Sequence, residues 1–424
     1  MILFLLKGLL RDPSRSVFPV ITVSVGVMLT VVLQSWISGL QGELVKSSAR
    51  FSTGHVKVTT RAYALEEDQL PNDLALLGVD SLVRTLRGRF PGLLWCPRIR
   101  FGGLLDIPDS NGETRAQGPV AGFAVDLTSA DSPDLRMLNL GRAVVRGALP
   151  AGRGEALLSD ELARRLGVGI GETATLIGAT RHGSLTTANF RVSGTVRFGL
   201  TVLDRGTIIA DLSDVQAALD MDDAAGEIFG FFADDLYRDD VASGTAEAFN
   251  SLVPGDGDEF APVMVTMRNQ AGLGQILDVW EYLTGVLVAI FIVVMSIVLW
   301  NAGLMASLRR YGEIGMRLAL GEARGRIYRA MLAESLMIGI MGSALGTAVG
   351  IGVAYYLQET GIEIGSMMKN ASIMLANVMR ARVTAVSYLI GFVPGLCATL
   401  LGTSIAGIGI YRRQTAQLAK ELQS

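Results

Sequence analysis

Residues 282–305 read YLTGVLVAIFIVVMSIVLWNAGLM and contain no charged side chain. A helix needs about 20 apolar residues to cross the hydrocarbon core of a bilayer. Three other runs have the same character and also lack Asp, Glu, Lys and Arg, namely 16–40, 336–357 and 383–410. The sequence therefore predicts four transmembrane helices.

The composition agrees with a membrane protein. Half of the 424 residues are hydrophobic, 18% are charged and the mean hydropathy is +0.41, whereas soluble proteins carry about a quarter charged residues. No basic run of the kind that follows a nucleic-acid backbone is present, so we expect no nucleic-acid partner.

The Lys and Arg residues near the ends of the spans predict the orientation, since such residues concentrate in cytoplasmic loops. Three segments carry such residues: the one before span 1, the one between spans 2 and 3 and the one after span 4. We therefore expect these segments, and with them both termini, in the cytoplasm. Arg380 and Arg382 run against this rule and suggest an interfacial stretch at 371–382. The first span is longer than a signal-peptide core and lacks an A-x-A-like site after it, which predicts an uncleaved anchor. The basic residues are Lys7, Arg11, Arg15, Arg309, Arg310, Arg317, Arg324, Arg326, Arg329, Arg412, Arg413 and Lys420.

The predicted fold class is a polytopic membrane protein, with four transmembrane α-helices and a large α+β extracytoplasmic domain inserted between helices 1 and 2. GHVKVTT (54–60) alternates like a strand, and SDELARRLGV (159–168) has a Ser N-cap and helical spacing. Three more segments predict short strands: GETATLIG (171–178), ANFRVSGTV (188–196) and DRGTIIADL (204–212).

These signals predict a definite order of segments. In chain order they are an interfacial amphipathic helix on the cytoplasmic side (1–15), span 1 (16–40), the extracytoplasmic domain (41–281), span 2 (282–305), a cytoplasmic loop (306–335), span 3 (336–357), a short extracytoplasmic loop (358–382), span 4 (383–410) and a cytoplasmic tail (411–424).

Metal chemistry has weak support in the sequence. His55 and His182 lie far apart, and Cys96 and Cys397 cannot form a disulfide framework. The stretch 211–259 is acidic, which is typical of a solvated face, with a calcium site as the alternative. We expect no metal and no cofactor in this chain.

The loop after span 2 contains an ordered motif, LRRYGEIGMRLALGEARGRIYRAMLAES (308–335). Ile314, Leu318 and Leu320 suit one face of a short helix, and Gly321 is typical of a helix C-terminal stop. Topology alone would explain an Arg-rich loop, but it would not explain the order Glu-Ile-Gly, Arg, Ala-Leu-Gly.

Residues 313–321 resemble the E-I-G-x-R-x-A-L-G stretch of the MacB/LolCE/FtsX-type permeases of ABC transporters, which work by mechanotransmission. Glu334 and the glycines of span 3 are similar to the third helix of that family, and 163–171 resembles its periplasmic core domain. Glu322 and the tail after span 4 depart from the family pattern.

The resemblance implies that the loop helix docks on a separate ATPase. The implied coupling residues are Glu313, Ile314, Gly315, Arg317, Ala319 and Gly321. It also implies two ABC ATPase subunits that bind ATP and Mg, a second permease copy or paralogue, and a lipoprotein cargo or periplasmic partner, in the bacterial inner membrane. This chain has no P-loop lysine, G-x-S-x-G, H-E-x-x-H or C-x-x-C motif, so we expect a non-catalytic subunit.

Small residues recur in spans 3 and 4. Gly342, Gly346 and Gly350 lie on one helix face, as do Gly391 and Gly395. Such spacing is typical of close helix packing in lipid, either within the four-helix bundle or between two copies. Pro394 predicts a kink in span 4.

Several functions are compatible with these features. The segment FSTGHVKVTTRAYALEEDQLPND (51–73) is more similar to lipoprotein-releasing permeases than to exporters, which favours lipoprotein release. Export of peptides, toxins or drugs is the alternative, and regulation of cell-wall hydrolases is a third role. A membrane-anchored sensor or scaffold without an ATPase is a hypothesis of a different class, and an enzyme outside the membrane finds no supporting motif.

Overall fold

The computed structural model describes residues 13–129, 132–253, 257–270, 272–308, 311–363 and 378–412. The chain divides into two compact units. The helical unit contains the described parts of 1–42, 279–362 and 379–424, and the sheet unit those of 43–278 and 363–378. Most of the predicted N-terminal interfacial helix, most of the C-terminal tail and residues 371–377 of the predicted interfacial stretch lie outside the described residues.

The described helices include four that are long and apolar enough to span a membrane: Val17–Thr53, Leu273–Val298, Arg324–Thr360 and Ala385–Ile405. They confirm the four predicted spans. In full, the described α-helices are α1 Pro13–Ser48, α2 Arg61–Leu65, α3 Val79–Arg89, α4 Pro133–Met137, α5 Leu140–Ala143, α6 Asp160–Leu166, α7 Thr201–Gly206, α8 Leu212–Leu219, α9 Asp239–Asn250, α10 Leu273–Leu308, α11 Tyr311–Ala319, α12 Arg324–Thr360, α13 Ala385–Leu389 and α14 Phe392–Arg412.

The described strands lie between the first and second spans, apart from one short pair between spans 3 and 4. They are β1 Val56–Thr60, β2 Leu76–Leu77, β3 Leu93–Pro108, β4 Thr114–Val125, β5 Val144–Gly147, β6 Glu155–Ser159, β7 Thr173–Ala179, β8 Leu185–Val196, β9 Thr207–Asp211, β10 Ala224–Ala225, β11 Glu227–Phe232, β12 Pro262–Thr266, β13 Ile362–Glu363 and β14 Val378–Met379.

The large sheet has the order β12-β1-β11-β3-β4-β9-β6-β8-β5, with β7 joined to β3 and β8. The pairs β4–β9 and β6–β8 are parallel. The long strand β3 belongs to both halves of the sheet, since residues 93–98 pair with β11 in one half and residues 99–108 pair with β4 in the other. Its buried side chains join those of α3, α6 and α8 in the main hydrophobic core.

The predicted α+β domain is confirmed in its elements. The alternating segment 54–60 contains β1, and the Ser159 helix is α6, which ends at Gly167 in the left-handed conformation at φ 63°. Only a residue without a Cβ adopts that conformation at little cost, and it stops the helix. The three other predicted strands correspond to β7, β8 and β9, but the prediction of a strand over 204–212 was wrong at its ends, since residues 204–206 belong to α7 and Leu212 begins α8.

A charge cluster that the sequence did not indicate lies inside the sheet unit. Lys57 and Glu227 have fully buried side chains, and Lys57 Nζ lies 2.9 Å from Glu227 Oε1. Arg100 and Glu67 complete the cluster, each 2.7 Å from a partner of opposite charge. Burial alone would raise the pKa of Glu227, but Lys57 and Arg100 hold it below its ordinary value. Glu67 lies in the segment after β1, so its ion pairs with Lys57 and Arg100 attach that segment to the sheet.

Candidate functional site

The helix predicted in the cytoplasmic loop is α11, Tyr311–Ala319. Its end has two characteristic hydrogen bonds: Gly321 N–H donates to Leu318 O at 3.1 Å, and Glu322 N–H donates to Arg317 O at 3.1 Å. Gly321 has φ 89°. This pattern is a Schellman motif, which requires a left-handed residue after the helix. The predicted role of Gly321 as the helix stop is confirmed.

The exposed side of α11 is partly apolar. Met316 is 59% exposed and Leu320 is 83% exposed, and Arg317 and Ala319 are also exposed, while Gly315 is buried. Glu313 and Ile314 belong to the helix, and their side chains lie outside the described part. Leu320 does not share the predicted apolar face with Leu318, because it follows the last helical residue. The exposed Met316 and Leu320 form an apolar surface next to a cation.

The three glycines of span 3 lie against α1 in the helical unit. A Cβ atom on Gly342 would lie 2.6 Å from Val23 Cγ1, and one on Gly350 would lie 3.0 Å from Val31 Cβ. Real Cβ atoms do not approach a neighbour as closely as 2.6 Å, so a larger residue at Gly342 would force α1 and span 3 apart, and one at Gly350 would be tightly packed. A hydrogen bond from Ser24 Oγ to Gly342 O, at 3.1 Å, joins the same pair of helices.

Gly391 and Gly395 belong to the same seam. A Cβ atom on Gly391 would lie 2.6 Å from Val27 Cγ1, and Gly395 faces Ser343 of span 3. The structure therefore places all five glycines between helices of one chain. The valines of α1 that fill the seam, at positions 23, 27 and 31, are fully or almost fully buried. The four-residue spacing of these valines could have indicated the packing face of α1, but the sequence analysis did not use it.

Span 4 is broken close to the predicted kink. It consists of α13, which ends at Leu389, and α14, which begins at Phe392. Pro394 has no N–H and cannot bond to the carbonyl of Ile390, four residues earlier. The break therefore lies one turn before the proline, beside Gly391 and its seam contacts.

Two helices connect the units, and their ends in the sheet unit meet in one apolar cluster. Val45 and Ala49 come from the end of α1 and the π-turn that follows it, and Leu273 and Leu277 come from the start of α10. They pack with Cys96, Met137, Phe229, Phe231 and Met267, all of them buried. We call this set the anchor cluster.

The buried amide of Gln270 joins the same two chain segments. Its Nε2 donates to Thr53 O and to Thr266 O, each at 3.1 Å. Thr53 ends the π-turn Ala49–Thr53, and Thr266 ends β12, the last strand before α10. Since π-turns are rare and often occur at functional positions, this junction is a second candidate for the transmission of movement.

The acidic stretch 211–259 serves local structure where it is described. Asp211 caps α8 by accepting a hydrogen bond from Ser213 N–H, and Asp223 accepts one from Asp80 N–H. Asp235 pairs with Arg50 at 2.7 Å. Within the described ranges, no group of three His, Cys, Asp or Glu side chains is placed to hold a metal ion.

Comparison with known proteins agrees with this arrangement. The MacB-like periplasmic core domain family matches residues 16–243, and the FtsX-like permease C-terminal family matches residues 285–415. The first match alone covers more than half of the chain. The protein thus belongs to the permeases that combine a MacB-like periplasmic core domain with an FtsX-like C-terminal part. It is a membrane protein with an extracytoplasmic domain, in a family of ABC transporter permeases that work with ATPase subunits.

Individual relatives match parts of the chain. The lipoprotein-releasing system transmembrane protein LolC of Xylella fastidiosa is 26% identical over 50% of this chain and 50% of its own length. The macrolide export ATP-binding/permease protein MacB of Hyphomonas neptunium is 29% identical over 31% of this chain and 20% of its own length. The solved periplasmic region of MacB from Actinobacillus actinomycetemcomitans is 13% identical, covers 53% of this chain and 94% of that structure, and has a TM-score of 0.35. The chain thus spans about half the length of LolC, and less of MacB.

The seam makes a testable prediction. Gly346→Leu places a branched side chain against Val27, where even a Cβ atom would lie 2.8 Å from the Val27 Cβ. Overpacking of this kind costs about 1–3 kcal/mol or more. We expect a lower yield of monodisperse full-length protein in detergent and a lower melting temperature. Gly352→Leu is the control, because that glycine of the same helix has nothing within 4 Å of its Cβ position. Equal behaviour of the two variants would contradict the seam.

Proposed function

We propose that this protein is the permease subunit of an ABC transporter in the bacterial inner membrane and that it transmits movement from a separate ATPase to its extracytoplasmic domain. The observation that carries the proposal is that α1 and α10 each continue without a break from one unit into the other. The unit boundary after Gly42 lies inside α1, and the boundary after Asp278 lies inside α10. An unbroken helix transmits displacement where a flexible linker would absorb it.

The anchor cluster supports this mechanism from within the sheet unit. A fully buried Phe side chain contributes about 1.5–3 kcal/mol by leaving water, and Phe229 and Phe231 are both buried there. The ends of α1 and α10 therefore cannot shift separately without exposing this cluster. A movement of the two helices is expected to move the sheet unit as one body.

We infer that the movement of the ATPase reaches the permease through α11. Exposed Met316 and Arg317 of the helix, together with Leu320 directly after it, offer an apolar surface with a charge beside it, which suits a protein partner better than lipid. With both termini in the cytoplasm, α11 lies on the ATPase side. The residues that we assign to coupling are Glu313, Ile314, Gly315, Arg317, Ala319 and Gly321. ATP and Mg are bound by the ATPase, two copies of which serve a dimer of this chain or of this chain and a paralogue.

Charge reversal tests the coupling role. In the double variant Glu313→Lys, Arg317→Glu, the net charge of α11 is unchanged while its pattern is inverted. Like charges brought together at an interface can cost several kcal/mol. We expect the variant permease to insert into the membrane normally. In pull-down from mild detergent, the amount of ATPase that it retains should be about tenfold lower than with the unaltered protein. Arg326→Glu, an exposed position in the first turn of α12, is the control. ATPase retention equal to that of the control would exclude the coupling role.

Flexible insertions test the transmission of movement. Gly-Ser-Gly-Ser is inserted after Gly42 and after Asp278, and Ala-Ala-Ala-Ala at the same two places is the matched control, since alanine continues a helix. The readout is hydrogen exchange of the peptides around 49–53 and 267–277, with and without a non-hydrolysable ATP analogue, in the complex with the ATPase. We expect the ATP analogue to change the exchange of these peptides in the variant with alanine insertions but not in the variant with Gly-Ser insertions. A nucleotide effect that survives both would refute transmission through the helices.

For the substrate, we propose release of lipoproteins from the inner membrane, supported by the likeness to LolC over half of the chain. Export of peptides, toxins or drugs is the second candidate, supported by the MacB relatives. Proteins that co-purify with the full chain in mild detergent separate these roles. A cargo with a lipid-modified N-terminal cysteine supports release, and its absence beside a bound ATPase supports export. Lack of any ATPase would favour the sensor or scaffold hypothesis.

A further inference from the structure

A small cleft in the sheet unit has a cationic rim. Its volume is about 190 Å³, and its lining includes Lys46, Arg50, Arg142 and Arg197. Glu43 is the acidic residue among the lining side chains, so cations outnumber anions four to one. We call this site the basic cleft. The excess of positive charge favours an anionic ligand.

Two of the four cations are already paired. Arg50 lies 2.7 Å from Asp235 Oδ2, and Arg197 lies 3.0 Å from Asp160 Oδ2. Lys46 and Arg142 have no ion-pair partner among the described residues. The Nε of Arg50 is also enclosed without a hydrogen-bond partner in the part of the chain that the structure describes. Two free charges and one enclosed donor thus remain for a ligand.

The lining of the basic cleft is not only polar. Phe51 and Phe198 contribute to it, with ring centroids 5.0 Å apart in an edge-to-face arrangement. Phe123 lies behind them, 6.3 Å from Phe51. A ligand with a phosphate next to a less polar portion matches this combination better than a fully hydrated inorganic anion.

The position of Lys46 along α1 indicates the source of such a ligand. From Leu40, where the apolar run ends, to Lys46 the helix rises about 9 Å at 1.5 Å per residue. The headgroup region on each side of the hydrocarbon core is about 5–7 Å thick. Lys46 therefore lies at the outer edge of the headgroup layer of the outer leaflet, and its flexible side chain can bend back toward a lipid phosphate. Within the helical unit, Arg382 is a cation close to the end of the same apolar run, since its N–H donates to Ser35 O and its guanidinium lies beside Gly42.

We propose that the basic cleft binds the phosphate of an anionic phospholipid headgroup in the outer leaflet. Lys46 and Arg142 neutralise the charge, the enclosed Nε of Arg50 donates a hydrogen bond, and the Phe51–Phe198 pair contacts the glycerol portion. A lipid held there ties the first turn of the sheet unit to the membrane surface. This site is separate from the coupling helix and from the glycine seam.

The test uses the reactivity of Lys46 in the full chain. The protein is placed in nanodiscs of phosphatidylglycerol or of phosphatidylcholine, treated with an amine-acetylating reagent and analysed by mass spectrometry. We expect acetylation of Lys46 to be about fivefold slower in phosphatidylglycerol, since each cation near an anionic surface gains about 1 kcal/mol. Lys57, which is fully buried, must remain unmodified and reports that the sheet unit is folded.

Two variants separate the cleft from a general effect of surface potential. Arg142→Gln should abolish most of the protection, whereas Arg136→Gln, an exposed position on α4 outside the cleft, should preserve it. Phosphatidylcholine nanodiscs with millimolar inorganic phosphate test the other source of the same chemistry. Protection by free phosphate equal to that by phosphatidylglycerol would overturn the lipid assignment. Protection that is absent, or unchanged in Arg142→Gln, would overturn the site itself.

Discussion

The packing of two helix ends in the anchor cluster is the constraint on which the sheet unit depends. The two helices that continue from the helical unit, α1 and α10, end there, and the cluster also contains Phe229 and Phe231 of β11, a central strand of the sheet. Since β11 pairs with both β1 and β3, the positions of the helix ends and of three strands are determined together. The gain from burying these side chains holds the two helix ends and the three strands together.

The membrane part of the fold could be predicted because its signal is local. Hydropathy and charge within about 20 residues identify a span, and a glycine after a short helix identifies its end, as at Gly321. The strands β1, β7, β8 and β9 and the helix α6 were predicted for the same reason. Each depends on residues that are neighbours in sequence.

Features that depend on distant partners could not be predicted. Lys57 and Glu227 are 170 positions apart, and no periodicity indicates that one will neutralise the other inside the core. The glycines of span 3 indicated close packing, but the sequence did not show which helix would approach them. The structure identifies α1, through Val23, Val27 and Val31. Similarly, the exposure of Leu320 follows from where α11 ends, which apolar spacing alone does not specify.

The sharing of β3 between the two halves of the sheet has a consequence for variation among relatives. An insertion or deletion inside Leu93–Pro108 would shift its register against β11 or β4 and turn buried side chains outward, since the faces of a strand alternate. The turn between β3 and β4, at residues 109–113, lies beyond the paired residues and its side chains are mostly exposed. Length changes should therefore accumulate in this turn during evolution, while the length of β3 stays constant.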